Sequence, residues 1–473
     1  MSKLEAFRRA EWDQQVRMIA DPETAREVEH WLGPLAFAEF KTLQRDASHL
    51  GRGKKNLILV PGVMGSMLQS EGMGGIWWAD MLRARDKLDS LALAPGGLTD
   101  ANPSVEVSAC AIDIIYAPLR AAIAQSSQFG GSVQFPYDWR KPLAASARQL
   151  ANLIHKAHAD YGEPVHLVGH SMGGLMIRTT LMLHGVELWP KIGKIVFLAT
   201  PHYGAVSIAG YLKNHLWGWE PLAVIGAYLS RETFRSMWGV LSLLPAPASI
   251  YPGTRDGQPH PCANFDLYNA SAYQLDLDAV DTISLQRCLD AVREMHVDLF
   301  NWHTYELMPA QRRRMLQISG VGRKTLFRLQ VPEKWNGSWR DVDKVTRRTA
   351  NDPDREGDGR VPLSSAGLER VEQRFVKGEH GSLQNLPDVV KDMLAWIGDR
   401  QLSLPDSPRT ALSSHLSGCA PTNAPHLDGS FEFSAHDDEY ARYQELPESR
   451  IKQLIVEMEK GSLPFKIDLA RIL

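Results

Sequence analysis

Two periods of hydrophobic spacing alternate along this chain. Short apolar runs of strand character occupy 56–61, 131–135, 164–169 and 193–199, and return at Met315-Leu316-Gln317-Ile318-Ser319-Gly320 and before the loop Gly378-Glu379-His380. Segments with apolar residues at helical spacing lie between or after them, at 115–126, 144–160, 172–185 and 386–397. A short continuous apolar run suits a strand buried on both faces, and a helix between such strands carries the chain back for a parallel neighbour. The pattern predicts an α/β fold with a mostly parallel central sheet.

Three regions break the alternation. Residues 1–50 are helical in pattern, with Pro22-Glu23-Thr24 opening a segment that places Val28, Trp31, Leu32 and Leu35 on one face. They predict a helix pair packed on the core as an extension. A lid-like loop is expected over about 69–95. From 201 to about 314 no strand–helix rhythm is visible, although one crossover needs far fewer residues. This stretch predicts an inserted cap, rich in Trp217, Trp219, Leu222, Tyr228, Met237, Trp238, Leu241, Leu243 and Leu244. At least half of these should form the cap's own core, while others, Trp217 and Trp238 among them, are candidates to shelter an apolar substrate.

The main α/β domain is thus expected over 51–400, and 401–473 reads as a linker followed by an amphipathic helix. In that helix Ile451, Leu454, Ile455 and Met458 follow helical spacing, ending near Gly461. Its polar face mixes Arg450 and Lys452 with Glu457 and Glu459, which favours docking on its own domain over an interfacial membrane helix.

Chemistry enters at Val165-His166-Leu167-Val168-Gly169-His170-Ser171-Met172-Gly173-Gly174. A strand meets Gly-x-Ser-x-Gly and passes directly into a helix, which is the pattern of a nucleophile elbow. The glycines leave room for a tight turn on which Ser171 stands proud of the sheet, with the next helix directing its positive end at developing negative charge. A serine of this kind needs an acid and a base, expected in the order Ser, Asp, His. Gly357-Asp358-Gly359-Arg360-Val361 supplies Asp358, and Lys377-Gly378-Glu379-His380-Gly381 supplies His380 just before the last helix. Asp352 and Asp354 are rivals to Asp358 in Asn351-Asp352-Pro353-Asp354-Arg355-Glu356-Gly357-Asp358. That acidic run also has a calcium-loop flavour, but its glycine is misplaced and no closing bidentate glutamate follows. Upstream, Val60-Pro61-Gly62-Val63-Met64-Gly65-Ser66 opens a strand into a glycine turn. The expected oxyanion donors are the N–H groups of Val63 and Met172, since Pro61 has none.

These segments, together with Phe135-Pro136-Tyr137-Asp138-Trp139-Arg140, resemble the lecithin:cholesterol acyltransferase family, which includes lysosomal phospholipase A2 and the phospholipid:diacylglycerol acyltransferases. The hexapeptide discriminates best, because general lipases with the same elbow lack it. The resemblance runs from about Asn56 to Ile397. It implies an α/β-hydrolase fold with a cap, acyl-ester chemistry on lipid-like substrates, Ser171, Asp358 and His380 as the triad, and Val63 and Met172 as oxyanion donors. The chain departs from it in the lid region. Gln69 to Asp89 holds Trp77 and Trp78, candidate substrate contacts, but no cysteine for the lid disulfide of human-type members. Arg360 stands where many members have threonine. Within the hexapeptide, Asp138 and Arg140 are expected to form a charge-assisted pair, with Tyr137 and Trp139 as packing.

Composition narrows the setting. The 473 residues carry a formal net charge of -3, which argues against a nucleic-acid partner. Cys110, Cys262, Cys288 and Cys419 are scattered, so no metal site and no cofactor are expected, and a reduced cytoplasmic setting is the simpler one. The N-terminus has charges throughout and no apolar signal core, and no apolar run is long enough to span a bilayer. Only transient contact with a membrane surface is anticipated, and oligomeric state is not legible. The expected partner is a lipid or other acyl-ester substrate. Three functions follow: an esterase, lipase or phospholipase passing the acyl group from Ser171 to water; an O-acyltransferase passing it to an alcohol acceptor; or a non-catalytic scaffold.

Overall fold

Strand order decides where a site can form in this chain. The computed structural model describes residues 2–45, 53–76, 87–213, 230–330, 343–346 and 357–413, apart from 127, 256, 258–259, 263–264, 276 and 324. Its strands, numbered along the chain, are β1 (Leu57–Val60), β2 (Ser66–Ser70), β3 (Gly75–Ile76), β4 (Ser108–Ile112), β5 (Val133–Gln134) and β6 (Val165–His170). They continue with β7 (Ile192–Leu198), β8 (Met315–Val321), β9 (Leu326–Gln330), β10 (Asp343–Thr346) and β11 (Glu372–Lys377). The main sheet has the order β11-β8-β7-β6-β1-β5, and every neighbouring pair in it is parallel. This is the mostly parallel central sheet that the alternation predicts, and it agrees with the α/β-hydrolase fold that the family resemblance implies. Because β1 is flanked by β5 on one side and β6 on the other, the order reverses there. Ligand sites of open parallel sheets lie beyond the strand C-termini at such a point.

The strand residues explain the sheet's burial on both faces. In β1, Ile58 and Val60 join one core cluster while Leu57 and Leu59 join the other. β7 divides likewise, Ile195 and Phe197 against Val196 and Leu198. Helices Ala144–Tyr161 and Met172–Leu188 pack on the first face, and Ala117–Gln125 and Pro387–Ile397 on the second. Helix Ala144–Tyr161 stops where Gly162 takes a left-handed conformation, φ 65°, and returns its N–H to the His158 carbonyl.

The N-terminal extension differs from the expected pair. It forms four short helices, Lys3–Arg9, Trp12–Met18, Pro22–Leu32 and Pro34–Arg45. Asp21 caps the third by accepting from Thr24 N at 3.1 Å, with Pro22 in the first turn. Gly33, at φ 85° and followed by Pro34, breaks it from the fourth. Phe7, Trp12, Val28, Trp31 and Phe40 form a separate cluster with Ala117, Ala121 and Ala124 of helix Ala117–Gln125.

Two small sheets also escaped the sequence pattern. β2, β3 and β4 form an antiparallel three-stranded sheet, so the stretch expected as a loop from 69 begins as strand. β9 and β10, which the apolar runs of the sequence do not pick out, pair antiparallel. Both sheets are built of short strands, too brief for local periodicity to register. Helix Pro408–Ser413 lies in the expected linker, and the helix expected around Ile451–Met458 lies outside the described residues. Among the described residues no helix is long and apolar enough to cross a membrane.

Candidate active site

The candidate residues converge beyond the C-terminal ends of β1, β6, β8 and β11. Ser171 follows β6 directly with φ 51° and ψ -126°, a backbone conformation costly for a residue with a side chain. The crowding at the elbow accounts for its glycines. A β-carbon on Gly173 would lie 2.2 Å from the Val60 carbonyl oxygen, and one on Gly174 would lie 2.1 Å from Thr200 Oγ1. Larger residues there would push the helix off the sheet and the serine out of place.

Ser171 Oγ lies 2.9 Å from His380 Nε2, and His380 Nδ1 lies 2.7 Å from Asp358 Oδ2. Asp358 Oδ1 accepts the backbone N–H groups of Arg360 at 3.0 Å and Val361 at 2.7 Å. The carboxylate is therefore held from behind while its second oxygen faces the imidazole. Only a donor can face that oxygen, so Nδ1 carries a proton and Nε2 presents its lone pair to the Ser171 hydroxyl. The His380 N–H also bonds the Asp358 carbonyl at 2.9 Å, joining the two loops along the backbone. Gly320 of β8 makes room for this acid, since a β-carbon there would lie 2.6 Å from Asp358 Cβ. All three side chains are buried.

The other expected site residues fall as follows. Met172 opens helix Met172–Leu188, and an N–H in a helix's first turn has no carbonyl one turn earlier to bond. In the Pro61–Ser66 turn the Gly62 carbonyl accepts Gly65 N at 3.1 Å. A trans peptide then points the Val63 N–H the opposite way, out of the turn. Trp238 stands against Gly97, whose added β-carbon would meet the indole at 2.5 Å. It packs the inserted segment against the 87–100 stretch. Met237, Leu241, Leu243 and Leu244 are buried in the same core cluster as the first face of the sheet, whereas a core of the cap's own was expected, and Trp219, Leu222 and Tyr228 lie outside the described residues. Trp77, Trp78 and Trp217, and the rival acids Asp352 and Asp354, lie outside the described residues.

The hexapeptide does more than fill space. Arg140 is fully buried and bonds Asp138 through two nitrogens, at 2.9 and 2.7 Å. Its third nitrogen reaches Asp100 at 2.8 Å and the Leu91 carbonyl at 2.9 Å. Tyr137 O–H donates to the Pro61 carbonyl at 3.0 Å, and Trp139 Nε1–H donates to the Ser66 carbonyl at 3.2 Å. Both ends of the Pro61–Ser66 turn are thus tied to the segment after β5. The expected Asp138–Arg140 pair is present, and its bracing of the glycine turn is the part that sequence alone did not reveal.

A residue that sequence reasoning missed altogether is Tyr116. Its hydroxyl lies 2.9 Å from His170 Nδ1 and accepts the Gly62 N–H at 2.9 Å. Burial pushes His170 down to about 3, so its ring is neutral at physiological pH. Among the described residues no group of His, Cys, Asp and Glu side chains is arranged to hold a metal ion.

Comparison with known proteins agrees with the motif reading. The family model for lecithin:cholesterol acyltransferase matches residues 131–251, which bears out the family resemblance over β5, the hexapeptide, the elbow and β7. The phosphatidylcholine-sterol acyltransferase of Gerbilliscus gambianus is 38% identical over 60 residues, 12% of this chain and 20% of that protein. The human protein of the same name is 36% identical over 76 residues, 15% of this chain and 17% of that protein. The chain therefore spans a fifth or less of the length of these relatives. Among solved structures, a mature lipase of Bacillus licheniformis aligns over 72% of this chain and 89% of its own, with 14% identity and a TM-score of 0.33.

Proposed function

We propose that this protein is a serine-dependent enzyme that cleaves acyl esters of lipid-like substrates through an acyl-enzyme on Ser171. The observation that carries this reading is the hydrogen-bonded line Asp358–His380–Ser171, with contacts of 2.7 and 2.9 Å beside the Gly62–Val63 turn. As Ser171 Oγ attacks the ester carbonyl, His380 Nε2 takes its proton, and Asp358 stabilises the imidazolium and keeps its orientation. The carbonyl oxygen becomes an oxyanion facing the N–H groups of Val63 and Met172. Collapse breaks the ester C–O bond, and His380 returns the proton to the departing alcohol. His380 then activates the second nucleophile, whose attack on the acyl-enzyme releases the product and restores Ser171.

The second nucleophile separates two readings. Water gives an esterase, lipase or phospholipase, which is the reading favoured here. An alcohol gives an O-acyltransferase, and the match of residues 131–251 to an acyltransferase family supports that alternative. The same segment is the main support for a lipid-like substrate. An intact set of three hydrogen-bonded triad residues weighs against a non-catalytic scaffold.

One assay addresses both points. Labelled phosphatidylcholine or triglyceride is incubated with the protein, with and without sterol, glycerol or diacylglycerol, and the products are identified. Free fatty acid in every arm supports hydrolysis, and a new ester in an acceptor arm supports transfer. For p-nitrophenyl esters, kcat/KM should rise from acetate to octanoate, since each buried methylene adds up to ~0.8 kcal/mol. Greatest activity on acetate with no gain in chain length would remove the lipid reading.

A further inference from the structure

We infer that Tyr116 and His170 are positioning residues that tie the oxyanion turn to the backbone of His380, so that the two halves of the site move as one body. The inference rests on the reading of Ser171, Asp358 and His380 as the catalytic residues. The connection is a continuous line of hydrogen bonds. His170 Nε2 lies 3.1 Å from the His380 carbonyl oxygen. A carbonyl can only accept, so His170 carries its proton on Nε2 and presents a lone pair at Nδ1. Tyr116 O–H donates to that nitrogen at 2.9 Å, and its oxygen accepts the Gly62 N–H at 2.9 Å. Tyr116 and His170 are 2 and 3% exposed, so water does not compete for these contacts.

The line reaches two backbone units on which the chemistry depends. At one end it fixes Gly62 N–H, next to the peptide unit that carries Val63 N–H. At the other it fixes His380 C=O, while Asp358 C=O holds His380 N–H at 2.9 Å. The base is thereby gripped on both sides of its own backbone, independently of its side-chain bonds. Neutral His170 suits this role, because it adds no charge beside an imidazole that must become cationic during the reaction. Its ring centroid lies 5.4 Å from that of His380. Side chains that merely filled the core would not need this order of donors and acceptors. A displacement of about 1 Å in such a group costs on the order of a hundredfold in rate.

The test uses the full chain and three substitutions, with rates normalised to sites titrated by a fluorophosphonate at Ser171. Tyr116→Phe keeps the ring and removes only the hydroxyl. It should lower kcat by roughly 10- to 100-fold with KM for a short ester within about twofold. His170→Leu should do the same. His170→Gln supplies an N–H donor and a carbonyl acceptor from one side chain, and should recover most of the loss. Tyr116→Phe combined with His170→Leu should be no slower than the worse single variant, because both break one line. Parental kcat per titrated site in Tyr116→Phe and His170→Leu would overturn the inference and leave the triad standing. Equal loss in His170→Gln and His170→Leu would also overturn it, by pointing to shape alone. Absence of labelling at Ser171 in the parent would overturn the catalytic reading, and this inference with it.

Discussion

Gly62 packs against Ser171 so closely that a β-carbon at position 62 would lie 2.9 Å from Ser171 Cβ. Gly62 and Ser171 therefore share a surface with no spare volume. Gly62→Ala must shift the turn, the serine or both. We expect kcat to fall at least tenfold and stability to fall by about 1–3 kcal/mol, the usual cost of overpacking. Short-ester kinetics and urea denaturation check both. Unchanged kcat would mean that this turn does not shape the transition-state site.

The acid is tested by a change of one atom. In Asp358→Asn the amide oxygen can still accept Arg360 N–H and Val361 N–H, which turns the NH2 towards His380 Nδ1. The imidazole must then carry its proton on Nε2, and Ser171 loses its base. A loss of about 10³- to 10⁴-fold in kcat near neutral pH follows. Near-parental activity in this variant, with loss in Asp352→Asn or Asp354→Asn, would move the role to another carboxylate.

Much of this site is legible in the sequence because each component has a local signature. The elbow announces Ser171 through glycines whose missing side chains the packing requires, and Asp358 and His380 stand beside glycines after strands in the expected order. The parallel sheet is legible for the same reason, since β1, β6, β7 and β8 are short apolar runs buried on both faces. Tyr116 is not legible, because its role depends on meeting His170 and Gly62 across the sheet end, and nothing in Ile114-Ile115-Tyr116 marks that meeting. The bracing by Tyr137 and Trp139 is half legible: the hexapeptide stands out, but its partners at Pro61 and Ser66 belong to another strand's loop. The N-terminal region reads as a pair because Pro22 visibly opens a second helical segment, whereas the breaks at Ala10-Glu11 and Gly33-Pro34, which split each half again and make four, carry no comparable signal in the apolar spacing.

Arg140 should be a stability residue. It is fully buried between Asp138 and Asp100, and its removal leaves two largely buried carboxylates without their common cation. Arg140→Leu should cost about 3–5 kcal/mol, as breaking a buried pair from one side does. Arg140→Lys should recover only part of this, because an ammonium cannot reproduce the two-nitrogen contact with Asp138. Denaturant unfolding of the three proteins gives the comparison, and a loss below 1 kcal/mol in Arg140→Leu would contradict the assignment.

Stability should fall between pH 6.5 and 5, above the range where carboxylates titrate. Burial lowers His170 to about 3 and His296 and His303 to about 4, and drives His202 well below its ordinary value. These rings are neutral in the fold, while an unfolded histidine binds a proton near pH 6.5. The unfolded chain therefore takes up more protons as pH falls. The stabilisation is fully present above pH 6.5 and is lost as pH drops towards the folded values. Each such histidine contributes up to about 2 kcal/mol of loss at pH 5. The expected readout is a Tm that drops steadily across this window, with a shallower drop in His296→Gln. A flat Tm from pH 7 to 5 would mean these rings are not held neutral.

The proposed acyl-enzyme chemistry stands or falls on Ser171. The most direct measurement treats the parent and Ser171→Ala with a fluorophosphonate, maps any adduct by peptide mass spectrometry, and follows ester cleavage in the same samples. The expected result is one adduct on the Ser171 peptide of the parent, with neither adduct nor cleavage in a Ser171→Ala protein that unfolds at the parental Tm. An adduct on another residue, or parental cleavage by Ser171→Ala, would contradict it.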